Sequence, residues 1–471
     1  MYKPTIGLEV HVELLTESKL FCGCKNDPSS AETNMHVCPV CIGYPGALPY
    51  INKKAIEHVL RIGAALGGDL ASDTKFDRKH YFYPDIPKGY QISQYEHPLV
   101  KHAMLLDVGI QRIHLEEDTA KSSHDVCTQG SAIDFNRSGV PLMELVTEPV
   151  IHSPEKAAAF ATMLQMTLQY LGAASARMEW GEMRVEANIS VSNTDDLGTK
   201  VEVKNLNSFK AVAGSIAYEI ERQTSLLEKG ESVVQETRGW NENTGKTVSQ
   251  RLKETSEEYR YMPDPDIPSL VLGDVSGWQR DELLKTIPEL PVQRMHRYAD
   301  TVGIQEKHAA LLVKNQKLGE IFDEALQRVD GDDAKTIANY LTSDVLQYEE
   351  TVGDAVYERI TGEVMAELVQ MIRAGELSSR GAKDTIAVIA KQGGSPKAVA
   401  EQEGLFQTSD DDALTTAVLA VLEQNPAVVD EYRSGKEQVL QFLVGQVMKE
   451  TKGSANPVRV QEIMHQKLSD G

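Results

Sequence analysis

The sequence predicts an α+β chain, with an antiparallel sheet in its first part and all-α segments after it. Three observations carry that expectation. Before residue 290, apolar and polar residues alternate over several short runs, the period-2 signature of half-buried strands. From Pro288 onward the pattern turns helical, as in Glu306 to Val313 and Ala334 to Glu349. All five cysteines and all three tryptophans fall before that point.

A chain of 471 residues is too long for one ordinary core, so about two to four domains are expected. Pro288-Glu-Leu-Pro291 marks one boundary and Lys391-Gln-Gly-Gly-Ser-Pro396 a second. The expected domains are 1–292, 293–396 and 397–471. The first holds three predicted helices. Lys53 to Leu66 stops at Gly67-Gly68. Pro154 to Leu171 starts with Ser153 as N-cap and proline at the first helical position, and stops at Gly172. Phe209 to Glu228 ends at Gly230. The last domain reads as short amphipathic helices over Ala413 to Glu423, Glu437 to Glu450 and Pro457 to Leu468.

The strands carry the chemistry. In Thr5 to Leu14, Ile6, Leu8, Val10, Val12 and Leu14 point one way, and Gly7, Glu9, His11 and Glu13 the other. Val185, Ala187, Ile189 and Val191 oppose Arg184, Glu186, Asn188 and Ser190. Val201 and Val203 oppose Lys200, Glu202 and Lys204. Glu144 and Glu148 share a face, as do Asp134 and Asn136, and His114-Leu-Glu-Glu-Asp118 adds Glu116, Glu117 and Asp118. One such strand is an ordinary solvated face. Recurrence of Glu, Asp, Asn and His on several strands points instead to a surface that collects divalent cations, because gathered carboxylates repel one another. Oxygen donors suit Mg²⁺, and Mg²⁺ with carboxylates suits nucleotide chemistry. No G-x-x-x-x-G-K-[ST] loop or kinase signature set is present, so a nucleotide site needs another architecture.

Cys22-Gly-Cys24 and Cys38-Pro-Val-Cys41 match a structural zinc site with four thiolate ligands, although C-x-C is tighter than the usual spacing. A reduced metal-free cluster and a redox pair are the alternatives. His36 is nearby but is not needed as a ligand, and Cys127 is expected to be an ordinary thiol. The chain has 48 Lys and Arg against 70 Asp and Glu, a formal charge of −22. That excludes a uniformly basic nucleic-acid binder but not local phosphate-binding patches. No apolar run is long enough to span a bilayer, and no signal or presequence pattern is visible. The expectation is a cytoplasmic location in a bacterium, with no membrane partner.

Several motifs resemble the B-subunit family of bacterial tRNA-dependent amidotransferases. They are Ile6-Gly-Leu-Glu-Val-His-Val-Glu13, Leu20-Phe-Cys-Gly-Cys24, Cys38-Pro-Val-Cys-Ile-Gly-Tyr-Pro-Gly-Ala-Leu-Pro49, Arg78-Lys-His-Tyr-Phe-Tyr-Pro-Asp-Ile-Pro-Lys88, His114-Leu-Glu-Glu-Asp-Thr-Ala-Lys121, Asp134-Phe-Asn-Arg-Ser-Gly139, Arg184-Val-Glu-Ala-Asn188 and Tyr259-Arg-Tyr-Met-Pro-Asp264. The resemblance spans essentially the whole chain. It implies a cradle like that of glutamine synthetase and the guanidino kinases, followed by a helical domain and a tail that grips tRNA. It implies ATP-dependent amidation of Glu-tRNA(Gln) or Asp-tRNA(Asn). A glutaminase partner of the amidase type supplies ammonia, and a small third protein completes the heterotrimer. ATP, Mg²⁺ and structural Zn²⁺ are the implied cofactors.

Within that resemblance, Glu9, His11, Glu116, Glu117 and Glu186 are expected around Mg²⁺, and Glu9, His11, Glu117 and Glu186 as its ligands. His11 is alternatively a hydrogen-bonded structural histidine. Lys79, Arg184, Arg137, Lys204 and Lys88, with Asn188, are expected on phosphate or the substrate carboxylate, or else in ordinary salt bridges. Tyr81, Tyr83, Lys88 and Tyr90 can instead line an ammonia route. In the tail, Arg433, Lys436, Lys449, Lys452 and Arg459 outnumber Glu431, Glu437 and Glu450 between residues 431 and 459. Two rival functions remain: a zinc-stapled tRNA scaffold without catalysis, and a free-standing ligase for a small molecule. The acidic strand face speaks against the first and the helical tail against the second.

Overall fold

A computed structural model describes residues 2–30, 32–123, 130–252, 259–329, 331–407, 411–434, 436–451 and 455–469. The chain divides into two compact units, Met1–Pro291 and Val292–Gly471. The expectation for Cys127 lies outside the described residues.

The first unit is built on a nine-stranded sheet. Its strands in chain order are β1 (Lys3–Glu13), β2 (Asp69–Leu70), β3 (Val100–Leu105), β4 (Val108–Glu117), β5 (Pro141–Thr147), β6 (Met183–Ser192), β7 (Val201–Leu206), β8 (Glu236–Asn241) and β9 (Lys246–Leu252). Across the sheet they run β9-β8-β7-β6-β1-β5-β4-β3-β2. β1 therefore lies in the middle, flanked by strands far from it in sequence. All neighbours are antiparallel except β7 and β8, which are parallel, a departure from the wholly antiparallel sheet expected.

Alternation decides the two faces. Ile6, Leu8, Val10 and Val12 of β1 are at most 1% exposed, which at ~1.5–3 kcal/mol per fully buried aliphatic side chain anchors the strand. Three helices join the core of this unit: α1 (Lys53–Ala65) against β3 and β4, α3 (Phe209–Glu228) against β6 and β7, and α2 (Pro154–Tyr170) against α3. Each begins at a side-chain cap. Asn52 accepts from the Lys54 amide, Ser153 from Lys156 and Ser208 from Ala211, satisfying amides the helix leaves unpaired. Gly172, at φ +60°, ends α2 in the left-handed region that favours glycine.

The second unit is helical. The run expected over Ala334 to Glu349 is broken into Gly331–Tyr340, a π-helical turn Leu341–Val345 and Leu346–Val352. The run expected over Glu437 to Glu450 is a 3-10 turn Glu437–Val439 followed by the helix Leu440–Glu450. A helix at Pro426–Arg433, not expected from the sequence, precedes them. Leu414, Val418, Leu443, Val447, Val460 and Met464 help form one apolar cluster drawn wholly from the last 60 or so residues of the chain.

Candidate functional site

Strand register gathers the polar residues into rows. β1 sets His11 opposite Glu144 of β5 and Arg184 of β6. β5 sets Glu144 beside His114 of β4, and Leu142 beside Glu116. Glu9 lies opposite Glu186, and Gly7 opposite Asn188, which faces Glu202 on β7. Laterally paired residues share a face. His114, Glu144, His11 and Arg184 thus form one continuous row, with Glu9 and Glu186 in the next and Glu116 on the other side.

His11 occupies the centre. Its Nε2 lies 3.4 Å from Glu144 Oε2, 3.6 Å from Glu116 Oε1 and 3.7 Å from Glu9 Oε1. His114 Nε2 approaches the same Glu144 oxygen at 3.3 Å. Ligand atoms of Glu9, His11 and Glu144 all lie within 4.8 Å of one another, as do those of His114, Glu116 and Glu144, and those of Glu9, Glu186 and Glu202. These three groups share members, so the face offers adjoining sets of carboxylate and imidazole donors.

The electrostatics follow from burial and crowding. Burial works to lower the His11 pKa, but the Glu144 hydrogen bond and the charges of Glu144, Glu116 and Glu9 reverse it and raise it to about 9. Glu9 is pushed up to about 7 by burial, with the Glu144 charge adding to it. Burial also works to raise Glu144, yet His114 and His11 hold its carboxyl well below the usual range. A proton on His11 thus offsets part of the buried acid, beside Arg112, whose Nη2 lies 3.5 Å from Glu144 Oε1. A divalent cation fits the same donors and the same need for positive charge.

Lys79 belongs electrostatically to this group. Its ammonium lies 4.9 Å from the centre of the Tyr259 ring and 5.8 Å from that of Tyr81. Burial opposes its charge, but Glu116 and then Tyr261 and Glu144 hold its pKa well above the ordinary value. The other expected cations are engaged by carboxylates. Lys204 Nζ lies 2.9 Å from Glu186 Oε2, and Arg184 donates to Asp118 Oδ2 at 2.8 Å. Arg137 donates to the carbonyls of Thr119 and Ala120 and stands 3.7 Å from Asp118. Asn188 is placed by register between Gly7 and Glu202.

Glu117 is the expected residue that stands apart. It leaves β4 on the side opposite Glu116, where Lys88 Nζ lies 2.6 Å from Oε1 and the Ile92 amide donates to the same oxygen at 2.9 Å. It does not join the groups converging on His11. Glu144, His114 and Glu202 do join them, although the sequence marks them only as members of polar strand faces. The i, i+2 spacing of His114 and Glu116 is a visible sign of a shared face, but pairing with His11 needs the register.

The thiols form a second centre. Cys22, Cys24, Cys38 and Cys41 bring their sulfurs within 4.8 Å of one another. The Cys38 and Cys41 sulfurs are 3.9 Å apart, against about 3.8 Å for tetrahedral zinc with Zn–S near 2.3 Å. His36 takes no part: its amide donates to Asn136 and its ring faces Asp27 at 3.8 Å. Of the tail bases, Arg459 pairs with Asp411 and Glu462, and Lys436 with Glu431. Arg433 and Lys449 are exposed. The helix carrying Lys449 ends at Glu450, so the described helix does not reach Lys452; Lys452 and Gly453 lie outside the described residues.

Comparison with known proteins bears on the whole chain. Residues 4–276 match the GatB/GatE catalytic domain, and residues 320–468 match the GatB domain. The chain is similar to the B subunit of the aspartyl/glutamyl-tRNA(Asn/Gln) amidotransferase of Thermoanaerobacter sp. (strain X514), at 41% identity over 99% of both chains. The protein of the same name from Thermodesulfovibrio yellowstonii is 42% identical over the full length of both. That from Dehalococcoides mccartyi (strain CBDB1) is 42% identical over all of this chain and 99% of its own.

Proposed function

The chain belongs to the family of aspartyl/glutamyl-tRNA(Asn/Gln) amidotransferase B subunits, and from that premise we propose that it carries out the ATP-dependent amidation of Glu-tRNA(Gln) and Asp-tRNA(Asn). A carboxylate oxygen is a poor leaving group. Transfer of the ATP γ-phosphoryl group to the side-chain carboxylate makes an acyl phosphate, and attack by ammonia then forms the amide and releases phosphate. The single observation that carries this assignment is the acid-rich face around His11, on a chain matched along its length.

Glu9, His11, Glu116, Glu144 and Glu186 are the proposed Mg²⁺ residues, in direct contact or through water. Mg²⁺ there would neutralise charge on the transferred phosphoryl group. Arg184, Arg137 and Lys204 are held by carboxylates or carbonyls, and are proposed to exchange those partners for phosphate or substrate oxygens. Asn188 is proposed as a nucleotide contact beside them. Lys79 is proposed to orient the reacting carboxylate near Glu116. Lys88, bound to Glu117, is assigned to the rim of the site. The four cysteines are proposed to hold structural Zn²⁺.

The sheet is proposed to form a cradle of the glutamine synthetase and guanidino kinase type over 1–292, with a helical domain over 293–396 and a tRNA-gripping tail over 397–471. The apolar cluster from Leu414 to Leu468 supports treating that part of the tail as a separate body. A glutaminase of the amidase type and a small third protein are the proposed partners. The test is amidation by the assembled complex with misacylated tRNA, ATP and ammonium chloride in place of glutamine. Amide and ADP should appear together. Amide formation without ATP turnover, or neither product, overturns the assignment.

A further inference from the structure

Lys19 is buried to 0% exposure, an unusual position for a lysine. Its ammonium donates to the carbonyls of His36 at 2.7 Å and Phe135 at 3.1 Å, and lies 3.8 Å from Cys41 Sγ. Carbonyls satisfy its protons but do not balance its charge. Cys41 is the acidic group it touches. The Cys38 amide also donates to Cys41 Sγ, at 3.2 Å, so two donors converge on one sulfur.

The surroundings fix this contact. Ser138 Oγ donates to the Cys41 carbonyl at 2.8 Å, and the Leu20 amide to the Gly139 carbonyl at 2.8 Å. Gly139, at φ +84°, has the Cys41 Cβ only 3.4 Å from where its own Cβ would stand. The turn that brings Phe135 to Lys19 therefore packs directly on Cys41.

We propose that Lys19 is the charge-balancing partner of the four-thiolate metal site, donating to the Cys41 sulfur and securing the bound ion. The proposal rests on the four cysteines holding a metal. Four thiolates around a divalent ion carry a net charge of −2, and burying that charge is costly without a nearby cation. The ammonium reduces the sum to −1 and aims a hydrogen at sulfur. Outer partners of this kind typically change metal affinity by about 10- to 100-fold. By binding the Phe135 carbonyl, Lys19 also ties the site to the turn that carries Arg137.

The test uses the assembled complex loaded with Zn²⁺ or Co²⁺. Affinity is read by competition with a chromophoric chelator, and sulfur bonding by the thiolate-to-cobalt charge-transfer band. Lys19→Gln keeps donors but loses charge; Lys19→Arg keeps charge. The expected result is at least about 10-fold weaker binding and a shifted band for Lys19→Gln, with Lys19→Arg near wild type. Wild-type affinity and band in Lys19→Gln overturn the proposal. Asn136→Ala is the control for loosening, since Asn136 joins the same turn to Glu32 and His36 without touching sulfur. A loss in Asn136→Ala equal to that in Lys19→Gln also overturns it.

A measurement on unaltered protein covers variants that fail to fold. Amine acylation followed by peptide mass spectrometry should spare Lys19 while metal is bound and label it after the metal is stripped. Labelling that does not differ between the two states counts against the proposal. Wild-type protein that binds neither Zn²⁺ nor Co²⁺ sinks the metal assignment itself, an outcome distinct from a silent Lys19.

Discussion

Buried charge appears in two forms in this molecule. On the sheet, Glu9, Glu116 and Glu144 crowd around His11, so that like charges stand side by side. In the helical unit, Asp323 is held by Arg294 at 2.6 Å and Arg297 at 2.9 Å, and accepts a hydrogen bond from Tyr298 at 3.0 Å. There the positive charge is complete. The first cluster raises the pKa of Glu9, a cost to its ionised form that suits a ligand of opposite charge, while it stabilises the charged form of His11. In the second, burial works to raise the Asp323 pKa, but hydrogen bonds from Arg297 and Arg294 win and lower it. Burial of charge alone therefore does not mark function here; crowding of like charge does.

The largest effect that can break this contrast is catalytic. Glu144→Gln should lower ammonium-dependent amidation by at least about 100-fold, equivalent to roughly 2.7 kcal/mol of transition-state stabilisation. Its melting temperature should also fall, because the pairs that ionised Glu144 makes with His11, His114 and Arg112 are lost with the charge. The partner's glutaminase activity should persist. A stability loss with normal turnover would make Glu144 a structural acid like Asp323.

Asp323→Asn should do the reverse, leaving amidation intact while costing about 2 kcal/mol at neutral pH, from lost charged hydrogen bonds to a largely buried arginine. The sign with pH follows from the lowered pKa. The stabilisation is fully present above the unfolded carboxyl range near about 4 and is lost as pH falls through the lower folded value. Chemical denaturation of wild type and variant at several pH values should therefore converge in acid. A gap that widens below about pH 4 would show that something other than ionised Asp323 supports the helices.

A smaller effect separates buried from exposed charge. Arg433→Glu with Lys449→Glu should raise the Michaelis constant for misacylated tRNA by about 10-fold and reduce the logarithmic salt slope by up to about 2, as for two lost phosphate contacts. Turnover at saturation and thermal stability should hold. Unchanged tRNA binding across a salt series would remove these residues from the tRNA-gripping surface.

Much of this is legible in the sequence because it is local. Alternation in β1 alone separates Ile6, Leu8 and Val10 from Glu9 and His11. Ser153-Pro154 announces a helix start that the structure keeps. The four cysteines fall within 20 residues or so of one another, and a loop of that length brings them together without help from distant strands. Periodicity could not place the π-helical turn at Leu341–Val345, where the backbone shifts register under a continuous apolar pattern.

The sequence by itself determined which side of each strand is polar, because side chains alternate with a period fixed by backbone geometry. It also determined the family, through motifs spread over the chain. Only the tertiary structure decided which strands are neighbours. Seating β1 between β5 and β6 put Glu144 and Glu186 beside His11 and Glu9, while Glu117, one residue past Glu116, was turned away to Lys88. Lys19 is the same lesson in a single side chain. Nothing local marks it, and it becomes a partner of Cys41 only because the turn at Phe135 folds over both.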